Sequence, residues 1–130
     1  MRAEIVIIVC MAQAGVSAST TGRTSARHIA DVDHRQIETF LDALWTEKGL
    51  SDNTLKAYRT DLEGLAAWAL SLDVSLAGLQ RNHLQDYLSR LRSASASPRS
   101  VARLHSSMRQ FFRYVVRKGL RDDDPTAQLA

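Results

Sequence analysis

The sequence predicts an all-α fold, a four-helix bundle of about 95 residues behind an N-terminal extension of different character. Three observations carry this prediction. From Asp33 onward apolar residues recur at helical spacings of three and four, and no segment alternates with period two. Six glycines and two prolines in 130 residues are too few for the turns of a β-sandwich. Residues that start or stop helices fall between the apolar stripes, at Gly49, Ser51, Ser97-Pro98 and Gly119.

The extension comes first. Ile5–Ala12 is a short apolar run, after which Ser, Thr, Ala and Gly dominate as far as Ser25. Two readings stand. Arg2, the apolar run and Ala12-Gln13-Ala14 resemble a signal peptide with a small-x-small cleavage site, although Glu4 offsets Arg2. The simpler reading is an N-terminal extension, with Met11 as an alternative start. Without apolar periodicity such a segment cannot offset its ordering entropy, so residues 1–32 are expected to be largely disordered.

The first helix carries Ile37, Phe40, Leu41, Leu44 and Trp45 on one face. Asp33 followed by Gln36 resembles a capping box, and Gly49 stops the helix near Lys48. The second opens at Ser51 and repeats Leu55, Tyr58, Leu62, Leu65, Ala69 and Leu72 at alternating spacings of three and four. A loop from Asp73 to Arg81 leads to a short third helix, capped by Asn82 and carrying Leu84, Tyr87, Leu88 and Leu91. Ser93–Pro98 breaks the chain, and Ser97 with Pro98 starts the fourth helix. Its stripe is Val101, Leu104, Met108, Phe111, Phe112 and Val115. Asp124-Pro125 reads as another helix start or a linker.

Charge is distributed unevenly. The net charge is +3, yet residues 28–73 carry four Lys/Arg and nine Asp/Glu, whereas residues 81–121 carry ten Lys/Arg and one acid, Asp86. A basic half of this kind suits a polyanion. On a helical wheel Arg99, Arg103, Ser106, Gln110, Arg113 and Arg117 lie almost opposite the fourth helix's apolar stripe, about 160° from Val101. Arg99/Arg103, Arg109/Arg113 and Arg113/Arg117 are like pairs at i,i+4, which destabilise a helix, so the stripe calls for an external counter-charge. Arginine forks suit phosphates and guanine edges. Arg103 and Arg113 point away from the core, so their removal is expected to leave stability unchanged.

Several function classes are excluded. One cysteine, Cys10, forms no internal disulfide, and no CxxC exists for a zinc finger. No apolar run is long enough to span a bilayer, and neither GxGxxG nor GxxxxGK[ST] occurs. His28, His34, His83 and His105 are scattered, without HExxH. Tyr58 and Tyr87 lie in apolar stripes and read as core. No catalytic constellation, metal site or cofactor site emerges.

Two stretches carry a resemblance. The first is Ile37-Glu38-x-Phe40-Leu41-x-x-Leu44-x-x-Glu47-Lys48-x-Leu50-Ser51-x-Asn53-Thr54-Leu55-x-Ala57-Tyr58-Arg59-x-Asp61-Leu62. The second joins Ser100-x-Ala102-Arg103-Leu104, Met108-Arg109-Gln110-Phe111-Phe112-x-Tyr114 and Arg121-x-Asp123-Asp124-Pro125-x-Ala127-x-Leu129. Together they resemble the opening of Xer-type bacterial tyrosine recombinases of the phage-integrase family, over about residues 36–130.

The resemblance implies a SAM-like core-binding domain over residues 33–121, with residues 122–130 starting an interdomain linker. It implies one jaw of a clamp on a double-stranded recombination half-site. Its partner would be a XerC-like recombinase in a heterotetrameric synapse, acting in chromosome dimer resolution in the cytoplasm, at the nucleoid. The family's catalytic residues lie outside the match, so no catalysis is expected of this chain, and the fragment alone is expected to be monomeric. Carried over by position, the DNA-facing residues are Asn53, Thr54, Lys56 and Arg59 on the second helix, and Arg99, Arg103, Arg109, Gln110 and Arg113 on the fourth. Thr54 would offer its hydroxyl and backbone N–H to a phosphate. Asn53 has a simpler capping role available, and Arg109 a simpler pairing with Asp61 or Glu63. The alternative of a different class is a helical protein–protein module whose arginine face binds an acidic partner; a secreted helical protein follows only from the signal-peptide reading.

Overall fold

The computed structural model describes residues 29–129. The signal-peptide reading, Cys10, His28 and the expected disorder of residues 1–28 fall outside the described residues; residues 29–32, also expected to be disordered, are described, and Asp31 and Val32 already belong to the first helix. The four expected helices are present: α1 Asp31–Lys48, α2 Asp52–Ser71, α3 Arg81–Ser93 and α4 Pro98–Arg117. No strand occurs among the described residues. Helix α2 packs against both α1 and α4, and α3 packs on α4.

The local signals explain where each helix stops. The Ser51 hydroxyl oxygen accepts the Thr54 backbone N–H at 3.2 Å, and Ser97 does the same for Ser100 at 3.1 Å. Pro98 occupies the first turn of α4, where its missing N–H costs nothing. Gly49 ends α1 with φ +62°. Past α4, Gly119 adopts φ +76° while Leu120 N–H reaches the Val115 carbonyl at 3.0 Å, a Schellman ending. Helices α2 and α3 end in the same way, but with Asp73 (φ +62°) and Ser95 (φ +67°) in the left-handed position instead of glycine.

The core is one cluster. All six apolar residues expected on α4 are buried, together with Tyr114. Phe111 sits at its centre, edge-on to Phe40 (5.4 Å between ring centres) and to Phe112 (5.2 Å). Trp68, outside the expected α2 stripe, is buried against Tyr87 at 5.1 Å.

Four expectations need correction. Asp33 is not a cap: α1 starts two residues earlier, and Asp33 is fully buried, its Oδ1 accepting the Leu76 N–H at 3.1 Å. The segment between α2 and α3 is not a plain loop, because a 3-10 turn at Leu76–Gly78 drives Leu76 and Leu79 into the core. Trp45 and Leu72 are 57% and 42% exposed, since the bundle covers a narrower arc of α1 and α2 than the apolar pattern suggests. Helix α3 begins at Arg81, not after Asn82, and the His83 ring Nδ1 accepts the Gln80 N–H at 3.0 Å.

The C-terminal segment folds back. Arg121 donates to the Ala77 and Leu79 carbonyls at 2.9 and 2.7 Å, tying the end of the bundle to the 3-10 turn. Asp124 Oδ1 accepts from the Thr126 backbone N–H and hydroxyl, and Pro125 and Thr126 are buried.

Candidate nucleic-acid interface

Helix α4 fixes its outward face by burying the opposite one. With Val101, Leu104, Met108, Phe111, Phe112 and Val115 inside, Arg99, Arg103, Arg109 and Arg113 project outward along four turns. The first turn of α4 contains no acid, and Arg99 sits there against the positive end of the helix dipole. That placement costs about 0.3–1 kcal/mol, which an external anion would offset.

The stripe is not uniform. Arg103 reaches across to α2 and forms a two-pronged pair with Asp61, Nε to Oδ2 at 2.9 Å and Nη2 to Oδ1 at 2.8 Å. The Asp61 side chain is only 9% exposed, against 42% for Arg103. The hydrogen bond to Asp61 raises the guanidinium pKa above its usual value, outweighing the opposing effect of burial. Arg117 pairs with Glu47 of α1 at 3.1 Å and lies over the Tyr114 ring. The like-charge reading therefore needs correction for these two: their counter-charges come from α1 and α2 and are invisible on the wheel of α4 alone. The alternative pairing of Arg109 with Asp61 or Glu63 is not made among the described residues; Arg103 takes Asp61 instead. Arg99, Arg109 and Arg113 are exposed and have no ion-pair partner among the described residues. Gln110 and Arg113 line a groove of about 90 Å³ between α1 and α4, with Glu47, Lys48 and Arg117 on its rim.

On α2 the expected residues separate. Asn53 and Lys56 are exposed in the first two turns. Arg59 turns towards α1, where it pairs with Glu38, and so does not join the α4 stripe directly. The Thr54 N–H is already held by Ser51, and the Ser51 hydroxyl donates to the Thr54 hydroxyl oxygen at 3.0 Å. The Thr54 backbone N–H is therefore not free for a phosphate; only its hydroxyl proton is.

Sequence reasoning offered Asp61 only to Arg109, not to Arg103, and missed Glu47 as a partner of the stripe. A signal for Asp61 exists. It lies about 40° from Leu65 on the wheel of α2, at the edge of the apolar arc, where a side chain meets a neighbouring helix.

The tyrosines are structural. Tyr87 and Tyr114 are buried, and burial raises the Tyr114 hydroxyl pKa above its ordinary value. Tyr58 is half-buried against the core. Among the described residues no three His, Cys, Asp or Glu side chains converge to hold a metal, and no helix is long and apolar enough to cross a membrane.

A bundle whose fourth helix carries no acid, and leaves Arg99, Arg109 and Arg113 without an ion-pair partner among the described residues, defines a candidate polyanion-binding helical domain, and comparison with known proteins narrows the class. The family described as "Phage integrase, N-terminal SAM-like domain" matches residues 37–119, and the chain belongs to it. The chain is 48% identical over 97 residues to tyrosine recombinase XerD of Xanthomonas axonopodis pv. citri, covering 75% of this chain and 32% of that protein. It is 43% identical over 101 residues to XerD of Pseudomonas aeruginosa, covering 78% and 34%. For XerD of Yersinia pestis the figures are 43% over 98 residues, 75% and 33%. The chain thus spans about a third of the length of the curated relatives it matches.

Proposed function

We propose that this chain is the DNA-binding, core-binding domain of a XerD-like site-specific tyrosine recombinase. It forms one jaw of a clamp on a recombination half-site and carries no strand-cleaving chemistry of its own. Residues 33–121 form the binding unit. Residues 122–130 begin the connection to the rest of the recombinase, with Pro125 and Thr126 seated on the bundle. In the whole protein the partners are double-stranded DNA and a XerC-like recombinase in a heterotetrameric synapse, and the process is chromosome dimer resolution at the nucleoid.

The observation that carries this reading is the cationic face of α4, where Arg99, Arg109 and Arg113 have no ion-pair partner among the described residues. Lys56 and Asn53, exposed in the first two turns of α2, add contacts from a second helix. Arg99, Arg109, Arg113 and Lys56 supply phosphate contacts, while Gln110, Thr54 and Arg59 act at the margins. Arg103 takes the separate role argued below.

The test is duplex DNA binding as a function of salt. Four to six neutralised phosphates release enough counterions for a log–log slope of about −4 to −5. Affinity will be weak, because half a clamp lacks the second contact that gives avidity. An affinity indifferent to salt overturns the reading. Tight binding to an acidic polypeptide in preference to duplex DNA would favour the interaction-module alternative.

A further inference from the structure

The cations of α4 fall into two kinds. Arg99, Arg109 and Arg113 are long, exposed side chains with no described ion-pair partner, suited to a phosphate backbone whose position they follow rather than fix. Arg103 is held. Asp61 takes the side edge of its guanidinium, through Nε and Nη2. A guanidinium offers five N–H donors in a rigid plane, and this pairing uses two of them. The outer edge is left over, with one N–H from each terminal nitrogen directed along the side chain and away from the helix. Two parallel N–H donors at that spacing match the O6 and N7 acceptors of guanine in the major groove.

Holding an arginine this way has a chemical consequence. A free arginine loses rotamer entropy when it docks on a base, whereas one already fixed by a carboxylate has lost much of it beforehand. The carboxylate also disfavours the wrong ligand. Asp61, close behind the guanidinium, repels a phosphate oxygen more than it disturbs a neutral base edge. Asp61 is mostly buried, so it is a fixed wall and not a mobile surface partner.

We infer that Arg103, positioned by Asp61, reads a guanine edge in the major groove, while Arg99, Arg109 and Arg113 contact phosphate. This rests on the DNA-binding reading and adds to it a division between specificity and affinity. Arg103 touches the base; Asp61 is a positioning residue that acts through it.

The experiment selects from a pool of short duplexes with randomised central positions, using the full 130-residue chain at low salt. Bound and input pools are sequenced, and total affinity is measured on the unselected pool. Wild type should enrich guanine at one position, by between about fivefold and 150-fold, as one bidentate base contact provides. Arg103→Lys keeps the charge and loses the fork, so it should bind the unselected pool within twofold of wild type with that enrichment gone. Asp61→Asn should also lose the enrichment, yet bind the unselected pool at least as tightly, because a negative charge near the backbone has been removed. Arg109→Ala should keep the enrichment and lower the salt slope by about 0.9. Retained enrichment in Arg103→Lys overturns the inference. So does a loss of binding in Asp61→Asn that is equal for all sequences and parallels a fall in its urea midpoint, which is what a purely structural pair would give. Wild-type binding without sequence preference overturns the inference and leaves the DNA-binding reading intact; no duplex binding at all overturns both.

Discussion

Replacing Asp33 probes the join between α1 and the 3-10 turn. The carboxylate is fully buried; Oδ1 accepts the Leu76 N–H, and Oδ2 has no hydrogen-bond partner among the described residues. Burial raises the Asp33 pKa above its ordinary value, opposed by the hydrogen bond from Leu76. The folded state therefore holds this proton more tightly than the unfolded chain does. Above the ordinary carboxyl pKa it binds the extra proton, and stability falls as pH rises through the raised value. Asp33→Asn keeps an acceptor for Leu76 and removes the charge. It should be more stable than wild type at pH 7, with the two converging towards pH 4. Asp33→Ala leaves the Leu76 N–H buried without an acceptor, so it should fall below the asparagine variant by about 1–3 kcal/mol. With a urea slope of about 1.5 kcal/mol/M, that is a midpoint difference of about 0.7–2 M. Urea titrations of the three proteins at pH 4, 5.5 and 7 provide the comparison. Equal stability of the alanine and asparagine variants, or a wild type that gains on the asparagine variant as pH rises, would refute the reasoning.

Five further outcomes rest on the packing and the charge layout. Phe111→Ala empties the centre of the Phe40–Phe111–Phe112 cluster and should cost about 3–5 kcal/mol in urea unfolding, whereas Arg113→Ala should move stability by less than about 0.5 kcal/mol and weaken duplex binding. Ser95→Gly relieves a left-handed backbone at the end of α3, so calorimetry should show a gain of about 0.5–1 kcal/mol. Arg121→Ala abandons the Ala77 and Leu79 carbonyls and should cost about 2–4 kcal/mol, read in the same urea assay. The 130-residue chain should form no 3′-phosphotyrosyl adduct on a nicked suicide duplex, because Tyr87 and Tyr114 are core side chains and Tyr58 packs against the core; a covalent adduct on denaturing electrophoresis would contradict this.

What could be read from sequence was whatever depends on near neighbours along the chain. Helix existence, the Ser51 and Ser97-Pro98 starts, the Gly49 and Gly119 ends and the whole apolar stripe of α4 are local, and a wheel captures them. The contacts that join distant segments escaped it. Asp33 looked like a cap because aspartate commonly caps helices, yet its partner Leu76 lies 43 residues away. Leu76 and Leu79 had no helical period to reveal their burial, since a 3-10 turn is too short to show one. The same limit shaped the candidate site. The face of α4 was legible as cationic, but which arginines are internally matched was not, because Asp61 and Glu47 belong to other helices. Hence Arg103, expected to be dispensable for stability, is now expected to cost about 1–3 kcal/mol on truncation to alanine, by leaving a mostly buried carboxylate unpaired.

On the proposed reading, α4 meets a nucleic-acid backbone through Arg99, Arg109 and Arg113, the arginines with no ion-pair partner among the described residues. The most direct measurement is the salt dependence of duplex DNA affinity for the wild-type chain and for the triple variant Arg99→Ala, Arg109→Ala, Arg113→Ala, with circular dichroism verifying that the bundle is intact. The wild-type log–log slope should be about −4 to −5, reduced in magnitude by about 2.7 in the triple variant, about 0.9 for each lost phosphate contact. A folded triple variant with the wild-type slope and affinity would contradict that reading.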